Sequence, residues 1–202
     1  MSAHKELLVA TNNAGKVREL SELLSDFPLR LRLLGEFPGV DEAEETGETF
    51  AENATIKALH YSARTGLLTL SDDSGLSVDA LNGAPGVYSA RYAGREATYA
   101  ERMSKLLGEL DATGDAARRA RFVCVIAVAA PSAGTLHTFE GECRGRLARA
   151  PRGTGGFGYD PLFIPDGHTQ TFGELPAATK HSLSHRARAL QKAVLHLREH
   201  FT

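Results

Sequence analysis

The feature that most limits the folds open to this chain is a pair of long strand-like runs, 120–130 and 135–147, separated only by Pro131-Ser132-Ala133-Gly134. Two extended runs joined by so short a Pro/Gly turn form a hairpin, which is antiparallel by construction. The rest of the chain alternates strand and helix signals. Leu7-Leu8-Val9-Ala10 reads as a buried strand; Val17, Leu20, Leu23, Leu24 and Phe27 then follow with helical spacing until Pro28 closes the helix. Residues 29–34 alternate leucine with arginine, as a half-exposed strand does. Thr49 and Glu52 form a Thr-x-x-Glu capping box that opens a helix to about Arg64, with Gly66 as its stop. Phe50, Ala54, Lys57 or Ala58, and Tyr61 fall on one face of it. Residues 67–71 read as another buried strand, 81–86 as a loop and 87–93 as extended or irregular chain. Helical patterns follow over 98–110 and 184–201, the last with a stripe of Leu190, Val194, Leu197 and Phe201. Helices alternating with strands, one pair of them antiparallel, predict an α/β fold with a mixed central sheet. No repeat or linker interrupts the 202 residues, so 1–202 reads as a single domain, or one domain with a small appended lobe.

Composition narrows the function classes. A formal net charge of -2 excludes a broad nucleic-acid-binding surface, although it leaves room for a local basic pocket holding a small anion. No stretch approaches the ~20 apolar residues of a membrane span, and Met1 to Glu6 lead into the first strand without a signal-peptide core. The expected location is the cytoplasm. Two distant cysteines, Cys124 and Cys143, then read as free thiols, and they make a poor zinc signature.

The chemistry concentrates in a few short segments. Asp72 and Asp73 close the apolar run 67–71 and lead into Ser74-Gly75-Leu76, which places two carboxylates at a strand's end. Side chains alternate along a strand, so at most one of the two faces a given cleft. Such a carboxylate can hold a hard cation, activate water, or both; Asp, Ser and Gly are equally the residues of a tight turn. Between the first strand and helix lies Thr11-Asn12-Asn13-Ala14-Gly15-Lys16, where backbone N–H groups, the helix dipole and a lysine favour a phosphate. A helix cap with a solvated lysine would use the same residues. An acidic loop carries Glu42, Glu44, Glu45 and Glu48, from which one glutamate could complete a cation site.

Gly153-Thr154-Gly155-Gly156-Phe157-Gly158 matches G-x-G-x-x-G literally, but Pro151 precedes it and Pro161 follows, with no strand-to-helix context. A dinucleotide site of the Rossmann kind is therefore rejected. A loop presenting Phe157, Tyr159 and Asp160 to a ligand fits better, the bland alternative being aromatics packed into the core. Lys180, His181, His185 and Arg186 gather near the start of the last helix, where cations oppose the dipole and point to an anionic partner or a basic surface.

In this order, these segments together with Gly83-Ala84-Pro85-Gly86-Val87-Tyr88-Ser89-Ala90-Arg91-Tyr92 resemble the inosine triphosphate pyrophosphatase family, in its bacterial XTP/dITP diphosphatase branch. The resemblance covers nearly the whole chain. It implies an elongated central mixed sheet flanked by helices, a homodimer and dependence on magnesium. It also implies hydrolysis of ITP, dITP and XTP to the monophosphate and pyrophosphate, which cleanses the nucleotide pool. By the same resemblance Thr11 to Lys16 would hold the triphosphate, and Asp73 would accept the water proton and ligate the metal with Glu44. Asp72 is left to shape the turn. Ser74, Phe157, Gly158, Tyr159, Asp160, Lys180, His185 and Arg186 would complete the substrate pocket, with Lys57 a further phosphate contact. Asn12 departs from the glycine of many relatives. For base selection, Asp160 would accept from purine N1–H while a backbone N–H or His185 donates to O6. A nucleotide-binding protein without turnover is the competing class.

Overall fold

In the computed structural model, residues 6–131 and 136–201 are described, Phe201 by its backbone alone. The hairpin's turn residues 132–134, and residues 1–5, lie outside them. Six strands form one sheet in the order β2-β1-β3-β4-β5-β6: β1 Glu6–Val9, β2 Arg30–Leu33, β3 Leu68–Val78, β4 Arg119–Ala129, β5 Leu136–Leu147 and β6 Phe163–Pro165. Parallel pairing joins β1 to β2 (Leu7 opposite Leu31) and β1 to β3 (Leu7 opposite Leu68); β6 runs antiparallel to β5 (Arg146 opposite Ile164). The sheet is mixed, as the hairpin required. Helices are α1 Ala14–Leu23, α2 Phe50–Thr65, α3 Tyr99–Ala112, α4 Ala177–Leu183 and α5 His185–Phe201.

The local signals explain most boundaries. Thr49 Oγ1 accepts from Glu52 N while Glu52 Oε2 accepts from Thr49 N, and α2 stops at Gly66, whose φ of 70° suits a residue without a Cβ. Thr98 and Glu101 repeat the capping box at α3. Three expectations need correction. β3 does not stop at the aspartates but runs on to Val78, because Leu76 and Val78 keep the inward alternation going. Residues 87–93 are not extended: Gly86–Arg91 winds into a 3-10 turn, with Ser89 Oγ donating to Gly86 O at 2.6 Å. Helix α1 ends at Leu23, well before Pro28.

The chain divides into two compact units. The first comprises 1–73, 124–141 and 187–202; the second comprises 74–123 and 142–186. In the first, Leu7 and Val9 of β1 pack with Leu20 of α1 and Leu190 and Leu197 of α5, while Leu8 and Ala10 face Leu34 and Tyr61. Adjacent β1 residues thus feed opposite layers. In the second, Leu76, Val78, Leu106, Leu110, Phe122, Phe163 and Phe172 form the core. Cys124 and Cys143 are buried free thiols, one in each unit. Among the described residues no helix is long and apolar enough to cross a membrane.

Candidate active site

The first unit gathers charge around the two aspartates. The pleat sends them to opposite faces: Asp72 shares parity with Leu70, which packs beneath α1 and α5, and Asp73 with Ser71, whose hydroxyl donates to Ala54 O of α2 at 2.6 Å. Asp72 does not shape a turn, because β3 passes straight through it. Its Oδ2 lies 3.3 Å from Lys16 Nζ of α1 and receives the Cys124 thiol at 3.8 Å. Asp73 faces α2, where Lys57 Nζ donates to Asp73 Oδ1 at 3.0 Å and to Glu45 Oε1 at 2.8 Å.

Burial alone would lower the Lys57 ammonium, but Asp73, Glu45 and Asp72 together more than reverse this and hold it above the ordinary lysine range. Burial pushes the Asp73 carboxyl up, further than Lys57 and Lys16 pull it down. The other Asp73 oxygen, Oδ2, is buried without a hydrogen-bond donor among the described residues. Such an oxygen is costly unless something charged or protic reaches it. From its own position Lys57 reads as an oddity, a lysine on the face of α2 that also presents Ala54, Ala58 and Tyr61 to the core; the resemblance gave it a phosphate contact, and its pairing with Asp73 and Glu45 is new. Glu45 rather than Glu44 reaches Lys57; Glu44 is exposed.

At the first turn the cap and the phosphate reading coexist. Asn13 Oδ1 accepts from Gly15 N at 2.9 Å and Lys16 N at 3.2 Å, which consumes two of the N–H groups a phosphate would want. Thr11 Oγ1 takes the Asn13 N–H at 3.2 Å. The N–H groups of Asn12 and Ala14 keep no acceptor among the described residues, and both residues are exposed. Lys16 is not a solvated lysine, since it turns in upon Asp72.

The second unit holds the remaining candidates. Lys180 of α4 forms a buried ion pair with Asp160 Oδ2, the same oxygen that accepts Phe157 N at 2.7 Å. Asp160 is therefore loaded by its own loop, so the expected pairing with a base N1–H has to compete with an ammonium. Gly156 sits close by at φ 70°, and a Cβ there would fall 2.0 Å from Asp160 Oδ2. Phe157 is half-buried, with Lys180 Nζ 4.9 Å and the Arg186 guanidinium 5.5 Å from its ring centroid. Tyr159 belongs to the core instead: its ring is buried and its hydroxyl donates to Ser89 O at 3.0 Å. Gly158 stands between them at φ 67°. Arg186 is buried and donates to Ser74 Oγ at 2.9 Å. His185 stacks on Phe122 with ring centroids 4.7 Å apart. Phe122 and Phe172, the latter 5.7 Å from Lys180 Nζ, went unnoticed in the sequence, where they look like ordinary core aromatics.

A divalent cation fits this chemistry. Magnesium commonly takes only one or two carboxylates, completing its shell with water and phosphate oxygens, and Asp73 Oδ2 is a hard oxygen in need of a partner. Among the described residues no group of three or more His, Cys, Asp or Glu could hold a metal by itself, so an ion here would depend on substrate oxygens.

Fold and side chains together define the class: an α/β protein whose mixed sheet carries buried acid–base pairs of the kind hydrolases use. The chain belongs to the Ham1 family, whose model matches residues 7–196. It is 53% identical over 189 residues to a dITP/XTP pyrophosphatase of Desulforamulus reducens, covering 94% of each chain. To that of Geobacter sulfurreducens it is 49% identical over 191 residues, covering 95% of this chain and 96% of the other. Among solved structures, a HAM1 protein from Coxiella burnetii superposes with a TM-score of 0.89 at 45% identity, covering 96% of this chain and 99% of that one. The resemblance drawn from the motifs holds.

Proposed function

We propose that this chain is a magnesium-dependent pyrophosphatase for non-standard purine nucleoside triphosphates, ITP, dITP and XTP. Asp73 carries the reading. It is a buried carboxylate with one oxygen fixed by Lys57 at 3.0 Å and the other open, in a chain about half identical to enzymes named for this reaction. Asp73 Oδ2 takes a proton from water; the water oxygen bonds to the α-phosphorus as the bond to the bridging oxygen breaks, and pyrophosphate leaves as one unit. Lys57 fixes the carboxylate plane for that step. Magnesium, held by Asp73 and Glu44, would neutralise charge on the phosphate chain. Thr11, Asn12, Asn13, Ala14, Gly15 and Lys16 engage that chain, with Asn12 and Ala14 N–H the free donors and Asn13 the cap that presents them. In the second unit Phe157 and Gly158 meet the base. Ser74, Lys180, His185 and Arg186 add polar contacts to substrate, and Tyr159 and Asp160 hold the loop in shape. We further propose a cytoplasmic homodimer, working where the nucleotide pool is drawn upon for DNA and RNA.

Pyrophosphate release measured across ITP, dITP, XTP, ATP and GTP, with magnesium and with chelator, tests the reading. Release from the 6-oxo, non-standard purines that stops on chelation is expected. Nucleotide binding without release would favour the non-catalytic alternative.

A further inference from the structure

The second unit contains a cavity of about 500 Å³ that none of the candidate site residues lines. Its wall carries four arginines, Arg118, Arg146, Arg149 and Arg152, with Thr169 and Ile164, and no acidic side chain among the described residues. Like charges collected in one concave space repel one another, and field lines focus in a cleft with low-dielectric walls. In a chain of net charge -2 such a concentration of cations is not a consequence of composition.

The four differ in how they are held. Arg118 is buried and pairs with Asp111, and its Nε and Nη2 donate to the carbonyls of Leu147 at 3.2 Å and Ala148 at 3.3 Å. Its backbone adopts φ 52°, a conformation rare outside glycine. Arg152 is steadied by Thr169 O at 2.9 Å and Glu174 at 3.5 Å. Arg146 reaches only the His168 carbonyl, at 3.5 Å, and Arg149 makes no hydrogen bond or ion pair among the described residues. Two guanidinium groups are thus anchored and two exposed ones are left to close on a ligand. Guanidinium forks pair bidentately with phosphate oxygens, and the volume lies within the range of small-molecule sites.

We propose that this cavity is a second binding site for a small polyphosphate anion, either free pyrophosphate or the phosphate chain of a nucleotide. Occupancy needs neither magnesium nor turnover. The test is calorimetric titration in chelator with inorganic pyrophosphate and, separately, with ATP. Wild type, Lys16→Ala and the double variant Arg146→Ala/Arg149→Ala are compared. Both arginines are exposed and outside the core, and circular dichroism melting checks that the fold is kept. In the double variant one class of binding should weaken by ~10-fold or more, since two charge-assisted contacts are removed. Lys16→Ala should retain that class. Tighter binding of pyrophosphate than ATP identifies the free product as the ligand, and the reverse order a nucleotide. Superimposable titrations of wild type and double variant would overturn the proposal, as would loss of all binding in Lys16→Ala.

Discussion

Two adjacent carboxylates in one strand acquire different characters because the pleat hands them to different helices. Asp72 meets Lys16 of α1 and Asp73 meets Lys57 of α2, so only Asp73 combines a fixing ammonium with an oxygen that lacks a donor. Asp73→Asn keeps the size and one hydrogen-bonding oxygen but cannot take a proton. Pyrophosphate release from ITP should fall by ~10²-fold or more, while equilibrium binding of ITP changes little. Full activity in this variant would remove Asp73 from the mechanism. The parity of the pair followed from sequence because period-two alternation needs no tertiary information. The partners did not: Lys57 is 16 residues from Asp73, and nothing local marks it as buried among charges. The partner of Asp160 was equally hidden. Its loop suggests a contact to the base, and the cation that meets it, Lys180, lies 20 residues on.

At the scale of elements, long segments with caps were legible and short ones were not. Helix α2 begins at the Thr-x-x-Glu box read from the sequence and α3 just after Thr98, where its helical pattern starts, but β6 spans 3 residues and α4 spans 7, too few for a periodic pattern. The join between β5 and α5 carries a pH response of its own. The His196 ring of α5 packs tilted against His137 of β5, with ring centroids 4.0 Å apart, and stacks on His200 at 4.3 Å. Burial, followed by His137 and His200, holds its pKa below the ordinary histidine value, with Glu199 opposing. The unfolded chain therefore binds the proton more readily than the folded one. Stability from this residue is complete above pH 6.5 and is lost as the pH falls towards the lower folded value. Denaturant melts between pH 7.5 and 5.5 should show a smaller loss of stability in His196→Gln than in wild type. Equal slopes would mean that His196 does not titrate differently in the two states.

For the whole molecule, connectivity matters more than any contact. The chain leaves one compact unit for the other at 73/74, 123/124, 141/142 and 186/187. The first two passages lie inside β3 and β4, the third inside β5 and the last inside α5. Neither unit is a continuous stretch of sequence, and melting one would pull apart strands whose other halves belong to its neighbour. A sheet ladder broken midway exposes backbone groups that had been paired, so a half-melted state carries that cost without gaining the full entropy of unfolding. We therefore expect a single cooperative transition. Far-ultraviolet circular dichroism reports the backbone of both units. Near-ultraviolet signals come from tyrosines split between them, with Tyr61 in the first and Tyr88, Tyr92, Tyr99 and Tyr159 in the second. The chain has no tryptophan to dominate that region. Melting curves from the two probes should coincide in midpoint and width. Separate midpoints would show that the units unfold independently, and that this chain is two domains threaded through one sheet.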